Sequence, residues 1–329
     1  MSSDARPLAD RQAEKQAARQ AEVLAALEAH GDEAGYFEPL GADHAALFTD
    51  EGTTLLVTFE TFDACRRDGD GMPMGQKLAA AQGWSSLCLL AEGSTWFRDR
   101  AVFGFFDRQV DDAFFEDFDR VIFWGANMCG YAAAAFSVTA PGATVILAAP
   151  QATLDPVVTG WDNRFTDRRR MDFTSRYGYG PDMIEGAGPV YLIYDPRSAP
   201  DAMHAALFTK PFVHKLACPF LGPMPARILS EMSILEPLIV AAGREDFTPG
   251  VFWKLYRARH RCRPWLRRMT QWLDQRNRVF LAALATRAAA ERVEDGQFVD
   301  RLAELEAMLE EAGGSLPPAL PTPKPPPAL

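Results

Sequence analysis

Apolar residues follow two rhythms along this chain. From about residue 50 to 242 they form short runs of strand length, separated by helical stripes. The strand-like runs are Thr54–Glu60, Trp84–Leu90, Val121–Trp124, Ala143–Ala149, Val190–Tyr194 and Phe212–Leu216. Between them the spacing predicts helices at about 76–82, at Asp107–Asp119, at Tyr131–Val138, at Asp201–Phe208 and at Arg227–Ala242. In the second of these, Phe114, Phe115 and Phe118 share one face and are expected in the core. Thr61–Gly75 and residues 95–101 are expected as loops, the latter with exposed aromatic rings. Strands alternating with helices imply an α/β fold with a mostly parallel sheet.

The two ends behave differently. Residues 8–30 are expected as one helix stopped at Gly31 and packed on the protein's own body. From Phe247 onward only the helical period remains. Val251 to about Ala290 is expected as one or two helices interrupted near Pro264. Gln297–Ala312 follows, with Leu302, Leu305, Met308 and Leu309 as its stripe. Ser315–Leu329 holds seven prolines and is expected as a disordered polyproline-like tail. The expected organisation is therefore a helical leader (1–44), an α/β domain (45–242), a helical extension (243–313) and the tail (314–329).

Composition narrows the class. A chain of 329 residues that is 48% hydrophobic can bury a large core. No apolar run approaches the roughly 18–20 residues that span a bilayer. The charged start carries no apolar signal region, so a cytoplasmic protein without membrane attachment is expected. Five scattered cysteines without C-x-x-C spacing fit reduced thiols. The net charge of −10 conceals an asymmetry: Val251–Arg292 has eleven Lys/Arg against Asp274 and Glu291, a local +9 that leaves −19 elsewhere. Arginines there interleave with Phe252, Trp253, Tyr256, Trp265 and Trp272 at helical spacing. That favours packing or homo-oligomerisation through the 251–312 helices over nucleic-acid binding.

The informative chemistry lies at residues 120–150. A strand-length run ends in Gly125-Ala126-Asn127-Met128-Cys129-Gly130, and an alanine-rich helix and a second strand follow. This βαβ unit has the shape of a nucleophile elbow, G-x-S-x-G, in which a sharp turn lifts a serine above the sheet. Here Asn127 stands at the serine position and Cys129 at the second glycine, with Gly130 just beyond. A carboxamide is no nucleophile at neutral pH, so the scaffold is present without the reacting atom.

The run Trp124–Ala132 resembles the elbow of α/β-hydrolase-fold proteins, and more narrowly that of a bacterial hydrolase-like group reading roughly G-S-S-M-G-G-Y. A P-Q-x-x-x-D-P segment after the next strand is matched by Pro150-Gln151 through Asp155-Pro156. The resemblance covers about residues 50–242. It implies an α/β-hydrolase-like sheet, with the nucleophile position at Asn127 and the acid at Asp195. The histidine is then expected within Cys218–Pro225, where Gly222 or Pro223 occupies its place. With neither nucleophile nor base, a serine mechanism has no chemistry left.

The leading expectation is a catalytically degenerate α/β-hydrolase-like protein that binds a small-molecule or protein ligand. Its candidate pocket residues are Phe59, Glu60, Trp96, Gly125, Asn127, Met128, Gly130, Asp155 and Asp195, because ligands collect at the carboxyl ends of parallel strands. The alternative is a hydrolase or acyl-transfer enzyme working through Cys129, or through water held by Asp195. A helix N-terminus can activate a thiol, but a cysteine here also serves as a small apolar filler. His204 and His214 are expected to be structural. A thiol-dependent reductase of the phosphoadenosine phosphosulfate type would need a phosphate-cradling loop, and none is visible. No cofactor and no metal are expected, because the histidines and cysteines lack ligand spacing.

Overall fold

The computed structural model describes residues 8–67 and 70–318. The chain divides into two compact units, Met1–Leu255 and Tyr256–Leu329.

The first unit opens with α1 (Leu8–Ala34), β1 (Gly35–Leu40), β2 (His44–Thr49), β3 (Thr54–Thr61), α2 (Phe62–Arg67), α3 (Met74–Gln82) and β4 (Ser85–Ala91). It continues with α4 (Arg100–Asp111), β5 (Arg120–Ala126), α5 (Met128–Phe136), β6 (Thr144–Ala148), α6 (Pro156–Thr159) and α7 (Gly180–Met183). Then come β7 (Val190–Tyr194), α8 (Ala199–Leu207), β8 (Val213–Ala217), α9 (Pro225–Glu231), α10 (Leu235–Gly243) and α11 (Pro249–Leu255). The eight strands make one sheet in the order β1-β2-β4-β3-β5-β6-β7-β8. β2 runs antiparallel to β1 and β4, and every pairing from β4 to β8 is parallel. This is an α/β-hydrolase-like sheet with helices on both faces.

Alternate residues feed the two faces. Leu55, Val57 and Phe59 of β3, with Leu87, Leu89, Phe123, Val145 and Leu147, pack against α4 and α5 in the larger core. The rings of Phe106 and Phe136 stack there at 4.3 Å, with Phe59 beside both. Ala45, Leu47, Cys88 and Leu90 face the other way, onto Val23 and Leu27 of α1 and onto Phe62 and Cys65. The four alanines of α5 are fully buried, and small side chains let that helix lie close to β3, β5 and β6.

Several expectations are corrected. Helix α1 continues through Gly31; a Cβ there would lie 2.6 Å from the Phe37 nitrogen, so this glycine permits close approach of β1 rather than ending the helix. The stretch read as a helical leader contains β1, and β2 begins at its last residue. The loop expected at Thr61–Gly75 includes α2, whose Arg66 binds Asp63 and Glu92. The aromatic rings of 95–101 are inside: Trp96 and Phe97 are buried, turned inward by left-handed backbone with φ 49° and 55°. The helix expected at Asp107–Asp119 instead starts at Arg100, with Asp99 as its N-cap accepting the Ala101 N–H at 2.7 Å. It ends before Ala113, and Phe114–Asp117 is a 3-10 turn with Phe115 buried. The span expected as one helix, Arg227–Ala242, is broken into α9 and α10 around Ser233 at φ 56°.

The second unit has a 3-10 segment (Tyr256–Arg261), α12 (Arg263–Gln275), α13 (Val279–Ala290) and α14 (Gly296–Glu311). Pro264 sits in the first turn of α12, where its missing N–H has no intrahelical role. The interruption expected near Pro264 falls at Cys262, just before that turn, and a second separates α12 from α13 at 276–278. Ala282, Ala283 and Leu305 form the core of this unit. Its arginines are partly engaged within it: Arg263 and Arg267 on Asp295, Arg301 on Asp274, Arg259 over Tyr256 and Trp265, and Arg276 over Trp272. Residues 314–318 have no regular structure, and the rest of the expected proline-rich tail, 319–329, lies outside the described residues.

Candidate functional site

The elbow forms because backbone oxygens leave no room for a side chain at Gly125 and little at Gly130. A Cβ on Gly125 would lie 2.1 Å from the Cys129 carbonyl oxygen, and one on Gly130 would lie 3.1 Å from the Gly125 oxygen. Asn127 is held at φ 53°, ψ −120° between β5 and α5. That combination lies outside the main regions open to a residue with a side chain, so it persists only where the surroundings hold it. The Asn127 N–H donates to the Ala148 carbonyl at 2.8 Å, and the Asn127 carbonyl accepts the Tyr131 N–H at 2.9 Å. The strained residue is thus fixed by backbone bonds on both sides, as the apex of a working elbow would be.

Asp195 follows β7 and is 5% exposed. Its Oδ1 accepts the Arg197 N–H at 2.9 Å, and its Oδ2 accepts the Gly222 N–H at 3.0 Å. The next residue, Pro223, offers its carbonyl to Asn127 Nδ2 at 3.3 Å. Asp195, the 222–223 loop and Asn127 are therefore connected, with only main-chain groups between the carboxylate and the amide. A histidine would donate from one nitrogen to the acid and accept from the nucleophile with the other. Gly222 and Pro223 supply one donor and one acceptor in the same sense. The peptide cannot carry a proton from one to the other at neutral pH. Gly222 takes φ 77°, a left-handed conformation that a histidine side chain would strain.

Cys129 is 9% exposed, in the first turn of α5. Burial pushes its thiol far above the ordinary value, and the Glu60 carboxylate adds to the shift. Burial and the raised thiol both disfavour a thiolate at this position. Glu60 accepts the Met74 and Gly75 N–H groups at 2.9 and 2.8 Å and the Thr58 hydroxyl at 2.8 Å, so it closes the N-terminus of α3. Burial raises the Glu60 carboxyl against the pull of those three bonds. Phe59 lies in the aromatic core, Trp96 Nε1 donates to Gln151 Oε1 at 3.1 Å, and Asp155 caps α6. The structure brings Gly125, Asn127, Met128, Cys129, Gly130 and Asp195 together at the elbow. Glu60 lies near enough to Cys129 to raise its thiol while closing the N-terminus of α3, and Phe59, Trp96 and Asp155 make supporting contacts in the core, with Gln151 and at α6.

A second buried polar cluster clamps the β6–β7 connection. His204 is fully buried; its Nδ1 accepts the Ala152 N–H at 3.1 Å, which leaves Nε2–H to donate to Asp162 Oδ2 at 3.0 Å. Arg164 bridges Asp162 and Asp201. Burial alone would raise the Asp162 carboxyl, but hydrogen bonds from His204 and Arg164 outweigh it and hold it well below the usual range. Every charge is paired, as a structural cluster requires. His214 stacks on Tyr191. The sequence signal for this cluster was the pair Asp162 and Arg164 ahead of His204, and it carried no spacing rule. Among the described residues no cluster of three His, Cys, Asp or Glu side chains could hold a metal, and no helix is long and apolar enough to cross a membrane.

No family model matches the chain. No curated protein matches it either. Among solved structures it is similar to a mutant of the capsule O-acetyltransferase of Neisseria meningitidis serogroup A in complex with CoA, at 14% identity over 56% of this chain and 86% of that one, TM-score 0.36. It is also similar to a putative esterase from Staphylococcus aureus, at 13% identity over 57% and 75%, TM-score 0.34. An esterase domain from Rhodothermus marinus gives 14% identity over 56% and 85%, TM-score 0.30. The fold assignment rests on the strand order and the elbow.

Proposed function

We propose that this chain is a catalytically degenerate α/β-hydrolase-like protein that uses its elbow to bind a ligand rather than to cleave one. The observation that carries this reading is the link from Asp195 through Gly222 and Pro223 to Asn127. The acid's inward oxygen and one amide donor at the apex are already engaged, and no group between them can accept a proton. Asn127 keeps an amide at the apex, and Met128 presents an N–H at the first position of α5, where helix geometry supplies no acceptor. These are donors suited to a carbonyl or carboxylate oxygen. Catalysis through Cys129 is disfavoured by its burial and raised pKa, and water activation by Asp195 is disfavoured because both its oxygens accept backbone N–H groups.

The test is a titration of methyl-labelled protein with short acyl esters and the matching acids, following the Met128 methyl resonance. The expected result is a saturable shift that is lost in Asn127→Leu, with the ester recovered intact. Ester consumption that disappears in Asn127→Leu overturns the reading, and so does the absence of any shift across the series.

A further inference from the structure

We propose that Asn127 is a site of self-modification. The Met128 backbone nitrogen closes on the Asn127 side-chain carbonyl carbon to form a succinimide, and water then opens the ring to aspartate or isoaspartate.

The geometry behind this is the backbone angle at the apex. At an L-residue the Cβ is set about 120° from the backbone nitrogen around the Cα–C bond. A ψ of −120° therefore brings the Met128 nitrogen into line with the Asn127 Cβ, the cis arrangement that a five-membered ring requires. In an ordinary helix or strand the two are out of line by about 80° or about 105°, and the chain must rotate before the ring can close. Here the fold has already made that rotation and holds it, through the bonds to Ala148 and Tyr131 and the tight packing at Gly125. The second condition concerns the attacking nitrogen. Met128 is the first residue of α5, so its N–H has no intrahelical acceptor to give up.

The step balances without an added reagent. The Met128 N–H proton passes to hydroxide, the nitrogen bonds to Asn127 Cγ, and the Cγ–Nδ2 bond breaks. Nδ2 takes a proton from water and leaves as ammonia. One water then opens the imide. Attack at Cγ gives aspartate and an ordinary backbone; attack at the main-chain carbonyl gives the isoaspartyl linkage. In sum one water enters, one ammonia leaves, and nothing is oxidised or reduced. The product carries one more negative charge, and the aspartyl form puts a carboxylate at the apex of the elbow.

The chain has three asparagines, so Asn163 and Asn277 serve as internal references. The full-length protein is incubated folded, and in parallel in concentrated urea, in mildly alkaline buffer made with oxygen-18 water. It is then digested, and the three asparagine peptides are compared by mass spectrometry, with isoaspartate scored separately. The expected result is oxygen-18 incorporation at Asn127 about tenfold or more faster in the folded chain than in the unfolded one, with Asn163 and Asn277 no faster when folded. Equal rates, a slower folded rate, or no conversion at Asn127 in either state overturns the proposal.

Discussion

The Pro223 carbonyl accepts the Asn127 side-chain amide at 3.3 Å, and one residue earlier the Gly222 N–H donates to Asp195 at 3.0 Å. Two consecutive residues of one loop thus connect the carboxylate to the amide through main-chain groups alone. Restoring the apex alone should consequently restore nothing. Asn127→Ser is expected to fold and to show no p-nitrophenyl ester turnover above buffer, because general-base assistance of about 10²–10⁴-fold has no residue to come from. A saturable rate in Asn127→Ser would show that a base reaches the apex after all.

Asp195 is expected to matter for stability. Its buried carboxylate accepts the N–H groups of half-buried Gly222 and exposed Arg197. Asp195→Ala removes the acceptor of both; Arg197 is exposed and can turn to water, so the loss falls on the half-buried Gly222 N–H, at the low end of the ~1–3 kcal/mol that an unpaired donor costs. The urea midpoint should fall accordingly. Asp195→Asn keeps an acceptor oxygen and should lose less. An Asp195→Ala protein as stable as the parent would mean that the loop does not depend on this carboxylate.

Cys129 should behave as packing. Its thiol is buried and its pKa raised, so reaction of the native protein with a thiol reagent is expected to stay slow across neutral pH and to become fast only on unfolding. The comparison with Cys129→Ser under the same conditions identifies the residue. A fast native thiol that vanishes in Cys129→Ser contradicts the assignment.

His44 should make stability depend on pH. Burial holds its imidazole below the ordinary value of 6.5, against the opposite pull of Asp99 and Asp43. Its Nε2 meets the Thr95 hydroxyl at 2.7 Å, while Nδ1 has no partner among the described residues. The unfolded chain therefore binds a proton as pH drops past 6.5 and the folded chain resists it. Stability is fully present above that value and is lost as pH falls toward the folded pKa. The slope of the urea midpoint against pH should be shallower in His44→Gln. An identical slope in the two proteins would remove His44 from the account.

Much of this fold could be read from the residues, and the parts that could not share a cause. Val190–Tyr194 matches its expected strand residue for residue, and the elbow was visible in Gly125 and Gly130, because strand runs and glycine-dependent turns are local properties. β1 and β2 were missed: their pairing is antiparallel at the sheet edge, Pro39 interrupts β1, and β2 is a short run that begins on a polar residue. Helix α4 was misplaced because the phenylalanines at 114, 115 and 118 suggested a longer helix. The real start lay at Asp99, whose capping role precedes Val102, Phe103, Phe105 and Phe106. At the site, that Asn127 stands in the turn after β5 and that no histidine lies within 218–225 is legible from identity alone. The N–H and the carbonyl that link Asp195 to Asn127 are not, since every residue carries those groups and only the path of the 218–223 loop aims them.

The central claim is that the apex and the acid are joined by a group that cannot transfer a proton. The most direct test is turnover of a p-nitrophenyl ester and thioester panel by the parent protein, Asn127→Ala and Asp195→Asn, each checked for folding. The account predicts rates at the buffer background for all three. Turnover by the parent that is lost in both Asn127→Ala and Asp195→Asn would contradict it and return this elbow to the working hydrolases.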